Sequence, residues 1–230
     1  MFPDDAREEE FYRLVRSRFP GGRCLELGAG TGRLAGPLSS AGPAVFLEPS
    51  PAMLGLWRNG RGRSDMLLRA VGQALPFPRG CFDLVVFACN GLHCLLGRGS
   101  RVALLRETAR VLTPEGWLVL ETSPALARRP PERDSLRYDF FDGSLRLRLV
   151  ESVLRIEDRG TILFDMTYTY GPGRETRIPL ALALLDRAEL LKELNEAGLA
   201  VAHEWGDYDF SAPGDSSPRM LVAASPEEST

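Results

Sequence analysis

The stretch Cys24-Leu25-Glu26-Leu27-Gly28-Ala29-Gly30-Thr31-Gly32 decides the fold. An apolar run ends in three glycines within five positions. That pattern marks a strand passing into a turn whose bare backbone a ligand can approach closely. Turns of this kind hold dinucleotides, nucleoside triphosphates or other nucleoside cofactors. A dinucleotide fingerprint, GxGxxG, needs glycine at position 33, where this chain has Arg33. A phosphate loop needs a Gly-Lys-Ser/Thr ending, which is absent. Glu26 inside the run would repel a pyrophosphate and suits a cationic ligand.

A second acid agrees with the first. Glu48 ends the next apolar run, AVFLE (44–48), twenty residues beyond Gly28. In nucleotide-binding α/β domains a carboxylate at that place accepts from ribose hydroxyls. The expected ligand has a ribose and a positive end, and no phosphate.

Outward from the turn, strands and helices alternate. Residues 5–20 read as an N-terminal helix, with Phe11, Leu14, Val15 and Phe19 at helical spacing. Asp4 or Asp5 is its expected cap. RCLEL (23–27) is the first strand. A helix over 32–40 is expected to be short or kinked, because Pro37 offers no amide to Arg33. Ser50 and Pro51 open the next helix. MLLRA (66–70), FDLVVFA (82–88) and WLVLET (117–122) are further strands, with a helix over 100–112 and a turn at 113–116. This alternation means a parallel sheet covered on both faces.

After Glu121 three strands follow without helices: 145–156, 161–171 and 174–182. They form an antiparallel insert over 140–182, expected to act as a lid. Leu145, Leu147 and Leu149 alternate as on one buried face. Asp186 with Glu189 starts a closing helix and Gly198 ends it. Two last strands follow within 186–225, joined by the loop 206–219. The whole chain, 1–230, reads as one α/β domain, with 23–122 as its cofactor-binding half.

The 230 residues are 44% hydrophobic with a formal net charge of −3, enough for one full core. The arginines are scattered, so no nucleic-acid partner and no membrane partner are expected. No apolar run reaches membrane-spanning length and the N-terminus is polar, so a cytoplasmic enzyme is expected. The four cysteines form no CxxC pair, and Cys24 and Cys89 read as buried strand thiols. With only two histidines, no metal site is expected.

ELGAGTG (26–32) resembles the acid-x-Gly-x-Gly-x-Gly motif of class I S-adenosylmethionine-dependent methyltransferases. FLEPSPAML (46–54), the stretch 69–95 and RVLTPEGWLVLE (110–121) resemble the family's later motifs. The resemblance implies a Rossmann-like fold with a seven-stranded mixed sheet, order 3-2-1-4-5-7-6, only strand seven antiparallel. It implies S-adenosyl-L-methionine as cofactor, S-adenosyl-L-homocysteine as product, and a small-molecule acceptor methylated at N or O. Cofactor-binding residues carried over are Glu26, Gly28, Ala29, Gly30, Glu48, Pro49, Met53, Gly72, Gln73, Ala74 and Ala88. Where the family often has an acid for the adenine amino group, this chain has Val71. The insert and the Gly-Asp-Tyr-Asp loop resemble bacterial small-molecule methyltransferases, including sugar-amine N,N-dimethyltransferases. A monomer or a homodimer is expected.

Methyl transfer from a sulfonium depends chiefly on alignment, and a hydroxyl acceptor needs a base that a neutral amine does not. His93, after strand four, is the candidate base; its alternative is a packing or capping role. Tyr12 either touches the cofactor carboxylate or packs under the first helix. Tyr208, Asp209 and Tyr168 are substrate-site candidates, against turn-forming or insert-packing roles. Asp83 is expected to fix the start of strand four. Arg128 and Arg129 read as a solvated loop or a contact to an acidic substrate. Two other classes stay open: an NAD-type nucleotide-binding oxidoreductase, and an S-adenosylmethionine-binding protein without catalysis.

Overall fold

A computed structural model describes residues 5–60, 66–123, 135–142, 144–157 and 160–227. Arg128 and Arg129, and Asp4, lie outside the described residues. In chain order the elements are α1 (Asp5–Ser17), β1 (Cys24–Leu27), α2 (Ala35–Ser39), β2 (Ala44–Leu47), α3 (Pro51–Gly60), β3 (Leu67–Leu68) and β4 (Phe82–Phe87). A 3-10 turn (Gly91–Cys94) leads into α4 (Arg98–Val111) and β5 (Leu112–Thr122). The insert is β6 (Ser135–Asp142), β7 (Leu145–Glu157), β8 (Thr161–Tyr170) and β9 (Glu175–Ala183). The chain closes with α5 (Arg187–Glu196), β10 (Leu199–Trp205) and β11 (Met220–Pro226).

The main sheet runs β10-β11-β5-β4-β1-β2-β3. Strands β1 to β5 pair in parallel, and β11 runs antiparallel to both β5 and β10. Numbering only this sheet's strands, the order is 3-2-1-4-5-7-6, as expected. All four residues of β1 are buried, which suits a central strand covered on both faces. One face packs Leu104, Leu105, Leu190 and Leu194 of α4 and α5; the other packs Phe11, Tyr12, Val15, Leu38 and Trp57.

Local chemistry explains most boundaries. Pro37 limits α2 to five residues. Asp186 and Glu189 close a full capping box on α5. Arg16, fully buried, donates to the carbonyls of Leu38, Phe19 and Gly22 and so ties the end of α1 to the following turn and to α2. Asp83 Oδ2 accepts from the Arg23 amide at 2.8 Å, fixing the start of β4.

Four expectations need correction. Residues 113–116 are not a separate turn: they lie in β5, where the ladder to β4 slips between Phe82 and Leu84. There Gly116 leaves room for the Asp83 carbonyl, 3.1 Å from where a Cβ would stand. β3 has two residues instead of five, because an edge strand pairs on one side only. The insert has a fourth strand, β6, and spans 135–183. Cys89 lies beyond β4, exposed, with φ 54°.

The insert sheet, β6-β7-β8-β9, is antiparallel throughout. Leu149, Ile162 and Phe164 are buried on one face, whereas Leu145 is exposed. Tyr168 and Tyr170 stand opposite Leu149 and Leu147 on that same face. The other face is charged, with Arg146 gripping Asp139 through two bonds of 2.8 and 2.6 Å.

Candidate active site

The carboxyl ends of β1, β2, β4 and β5 meet at one edge of the sheet, where ligands of open α/β folds bind. Three of these ends carry a buried glutamate: Glu26, Glu48 and Glu121. The N-terminal helix α1 adds Glu8 and Tyr12, four residues apart and so on one helix face.

Glu48 organises the glycine turn. Its Oε2 accepts from the Gly30 amide at 2.8 Å and its Oε1 from the Ser50 amide at 2.7 Å. Each carboxylate oxygen has a second lone-pair direction left for another donor. Gly28 and Gly30 have φ of 66° and 58°, which glycine adopts without strain. Above Gly30 a Cβ would meet nothing closer than the Gly28 carbonyl at 4.0 Å, so the turn is open there. Gly32 differs: a Cβ would stand 2.6 Å from the Trp57 ring. The third glycine serves packing.

Among the described residues, buried atoms without a hydrogen-bond partner are Glu8 Oε1, Tyr12 Oη, Glu26 Oε2, Trp57 Nε1 and Asn90 Oδ1. All but the Trp57 nitrogen belong to this edge. Unpaired buried polar atoms are rare and costly, so their convergence marks a ligand site. Burial pushes the Glu26 carboxyl up to about 8, Arg33 opposing, Glu8 and Glu48 adding to the rise. Burial likewise raises Glu8, against the pull of Arg33, whose guanidinium donates to Glu8 Oε2. Tyr12, fully buried, is pushed well above the usual phenol range by burial and by Glu121, Tyr208 and Glu8 around it.

Glu121 joins three elements. Its Oε2 accepts from the Cys89 amide at 2.9 Å and its Oε1 from the Tyr208 hydroxyl at 3.0 Å. Arg219 stacks on the Tyr208 ring at 4.0 Å and pairs with Asp207.

The methyltransferase-domain family matches residues 25–120, which include Glu26, Glu48 and the glycine turn but not Glu8, Tyr12, Glu121 or Tyr208. The match spans less than half of this chain. A demethylmenaquinone methyltransferase of Corynebacterium kroppenstedtii is 35% identical over 101 residues, 44% of this chain and 42% of that protein. The chain thus aligns with less than half the length of that relative. The CcbJ methyltransferase of Streptomyces caelestis superposes with a TM-score of 0.81 at 22% identity, over 98% of this chain and 99% of that one. The sugar N-methyltransferase KedS8 of a Streptoalloteichus species gives 0.77 at 21% identity, over 98% and 89%. The fold is therefore that of the S-adenosylmethionine-dependent methyltransferases along nearly the whole chain.

The edge has room and free polar atoms for S-adenosylmethionine: Glu26 Oε2 and Tyr12 Oη have no partner, and Gly30 leaves open backbone. Pro49 is exposed and its carbonyl accepts from Arg69; Met53 is 42% and Val71 50% exposed. Gly72 is buried beneath Leu104, 2.5 Å from where its Cβ would be, which brings the backbone of Gly72, Gln73 and Ala74 close under α4. Ala29 is buried and Ala88 half-buried beside the same turn. Tyr208 faces the edge, while Asp209 is exposed and bonds the Ser211 amide, as a turn residue does. Tyr168 is half-buried in the insert.

His93 is fully buried in the 3-10 turn. Its Nδ1 donates to the Ala183 carbonyl at 2.7 Å and its Nε2 accepts from the Ser123 amide at 3.3 Å. Both nitrogens are engaged with backbone, one at the end of β9 and one just past β5. Burial lowers its basicity, with Arg101 adding to the effect and the Ala183 bond opposing it.

Glu8, Arg33, Asn90 and Glu121 escape a motif reading. The one signal was position: Glu121 ends its strand as Glu48 ends its own, and Glu8 lies one helical turn from Tyr12.

No helix among the described residues is long and apolar enough to cross a membrane, and no cluster of metal-ligating side chains is found among them.

Proposed function

We propose that this chain methylates a nitrogen of a small-molecule amine, using S-adenosyl-L-methionine. One observation carries the choice of acceptor: the unpartnered, buried carboxylate oxygen of Glu8 beside the unpartnered hydroxyl of Tyr12. A carboxylate with a free lone pair in low dielectric attracts a protonated amine and can take its proton. A neutral hydroxyl gains no charge attraction from that carboxylate and holds its proton far more tightly than an ammonium does, so it would need a stronger base. His93 is not that base, since its Nε2 lone pair already faces the Ser123 amide. We assign His93 to tying the insert to the sheet.

Glu48 would hold the ribose hydroxyls, Glu26 the methionyl ammonium, and the turn Gly28 to Gly30 the backbone contacts. Gly72 to Ala74, with Met53, would border the adenine. Bound there, the cofactor supplies an electrophilic methyl on sulfur. The residues of this chain align the acceptor and exclude water. Glu8 accepts the proton that the nitrogen sheds. The sugar N-methyltransferase among the structural neighbours supports an amine; a 34% identical relative from Vibrio parahaemolyticus, a ubiquinone/menaquinone biosynthesis C-methyltransferase, keeps a carbon acceptor as the second reading.

The test offers purified protein matched pairs of aminohexoses and hexoses, together with S-adenosylmethionine, and measures S-adenosylhomocysteine. Turnover confined to the amines is expected. Turnover of the hydroxyl partner alone rejects the amine. Tight NAD binding with no binding of S-adenosylmethionine rejects the methyltransferase and favours an oxidoreductase.

A further inference from the structure

Beyond the end of β4 the backbone makes an unusual move. Cys89 and Asn90 are both left-handed, with φ of 54° and 57°. Left-handed conformation strains side-chain-bearing residues, although asparagine tolerates it best, and two in succession persist only where surroundings enforce them. The enforcement is visible. The Cys89 amide is held by Glu121, the Gly91 amide by the Ala88 carbonyl at 3.1 Å, and the His93 amide by the Asn90 carbonyl at 3.0 Å. Gly91 lies so close to the Phe87 ring that a Cβ would stand 2.2 Å away.

The backbone of this turn is thus satisfied, yet the Asn90 side chain is not used. Asn90 precedes the 3-10 turn but makes no capping bond. Its Oδ1 is buried and has no partner. The Phe87 ring that packs against Gly91 also packs against Gly28, 3.3 Å from where that Cβ would be. One ring therefore separates the start of the glycine turn from the turn that carries Asn90.

We propose that Asn90 is the residue that orients the acceptor: its Oδ1 accepts a hydrogen bond from the N–H of the amine, leaving the nitrogen lone pair to face the methyl group. This rests on the amine methyltransferase reading above. The strained turn is what aims the oxygen. A tertiary amine presents no N–H and gains nothing from it, so among amines Asn90 selects the primary and secondary ones.

Sinefungin tests this without a known acceptor. It is a cofactor analogue with an amino group where the sulfonium carries its methyl. Calorimetry on the whole chain compares sinefungin with S-adenosylhomocysteine, in the wild type, in Asn90→Gly and in Asn90→Asp. Glycine suits the left-handed backbone, so Asn90→Gly removes the side chain without adding strain. The wild type should bind sinefungin about tenfold more tightly or better, the size of one charge-assisted hydrogen bond. Asn90→Gly should lose about tenfold of that preference while its S-adenosylhomocysteine affinity and melting temperature hold. Asn90→Asp, which keeps an oxygen, should retain the preference. An unchanged preference in Asn90→Gly overturns the inference, as does a wild type that binds both alike. A wild type that binds neither compound instead rejects the methyltransferase reading beneath it.

Discussion

Tyr208 donates its hydroxyl to Glu121 across 3.0 Å, although 87 residues separate them. Both side chains are buried. Glu121 also holds the Cys89 amide, so this one carboxylate joins the ends of β4 and β5 to the loop after β10. The aromatic cluster of Phe11, Trp205, Tyr208 and Phe210 closes the same loop onto α1. Loop, helix and sheet edge are therefore packed together around the candidate site.

Tyr208→Phe should destabilise the fold by about 1–3 kcal/mol, because Glu121 Oε1 loses its hydroxyl donor and keeps only the Arg219 ion pair at 3.7 Å. Denaturant unfolding measures this. Glu121→Gln in the same background should cost less than it does alone, since the two side chains share one bond. Strictly additive losses would show that the bond contributes nothing to stability.

Glu48→Ala should weaken S-adenosylhomocysteine binding by about a hundredfold, for two reasons that act together. It removes the acceptor for the ribose hydroxyls, and it frees the amides of Gly30 and Ser50, which now shape the turn. Calorimetric affinity near the wild-type value would remove Glu48 from the site.

Much of this organisation was legible in the sequence, and the reasons differ by element. The parallel core was legible because β1, β2 and β4 are short apolar runs bounded by turns and helices. Glu26 and Glu48 were legible because each has a fixed spacing from the glycines. β6 was missed because its stretch, SLRYDFFD, carries charge and little β-branched alternation. Glu8, Asn90 and Glu121 carry no motif signal because their significance is tertiary: no local pattern records that an oxygen of Glu8 or Asn90 is buried without a partner, or that Glu121 joins Cys89 to Tyr208. The place of His93 after β4 suggests a base, but its ring is saturated by Ala183 and Ser123, 90 and 30 residues away.

Glu26 gives a pH signature. In the folded chain its carboxyl is raised to about 8, above the ordinary value of 4.5. Between those limits the unfolded chain has lost the proton that the native chain keeps, so stability falls as pH rises. The slope from this group reaches at most about 1.4 kcal/mol per pH unit. Glu26→Gln should flatten that part of the profile. A cationic ligand favours the ionised form, so binding at pH 7 should release protons, seen as a buffer-dependent enthalpy. A binding enthalpy independent of the buffer would contradict the placement of Glu26 beside a cation.

His93 carries the opposite sign. Its basicity is lowered in the fold, so the contribution is complete above the ordinary value of 6.5 and is lost as pH falls below it. Protonation also removes the acceptor that holds the Ser123 amide. His93→Ala should lower the melting temperature at pH 7.5 and abolish this acid sensitivity. It should also increase hydrogen exchange at Ser123 and in β9, where the ring now ties the insert down. Loss of turnover without any change in stability or exchange would restore a catalytic role.

Gly30 and Gly32 separate binding from folding within one turn. Both have positive φ, 58° and 88°, so alanine costs about 1 kcal/mol of backbone strain at either. Their surroundings differ. At Gly32 the new methyl would press into the Trp57 ring at 2.6 Å, and Trp57 is itself buried against Phe46, so the core must shift. Overpacking of that kind adds about 1–3 kcal/mol. At Gly30 the methyl would project into open space, where the ligand is expected. Gly30→Ala should therefore stay folded within about 1 kcal/mol of wild type yet lose most S-adenosylhomocysteine affinity. Gly32→Ala should lose the larger share of its stability, and recover part of it with Trp57→Leu. Equal effects of the two substitutions on unfolding and on affinity would mean that the glycines share one role, against the division of labour their neighbours indicate.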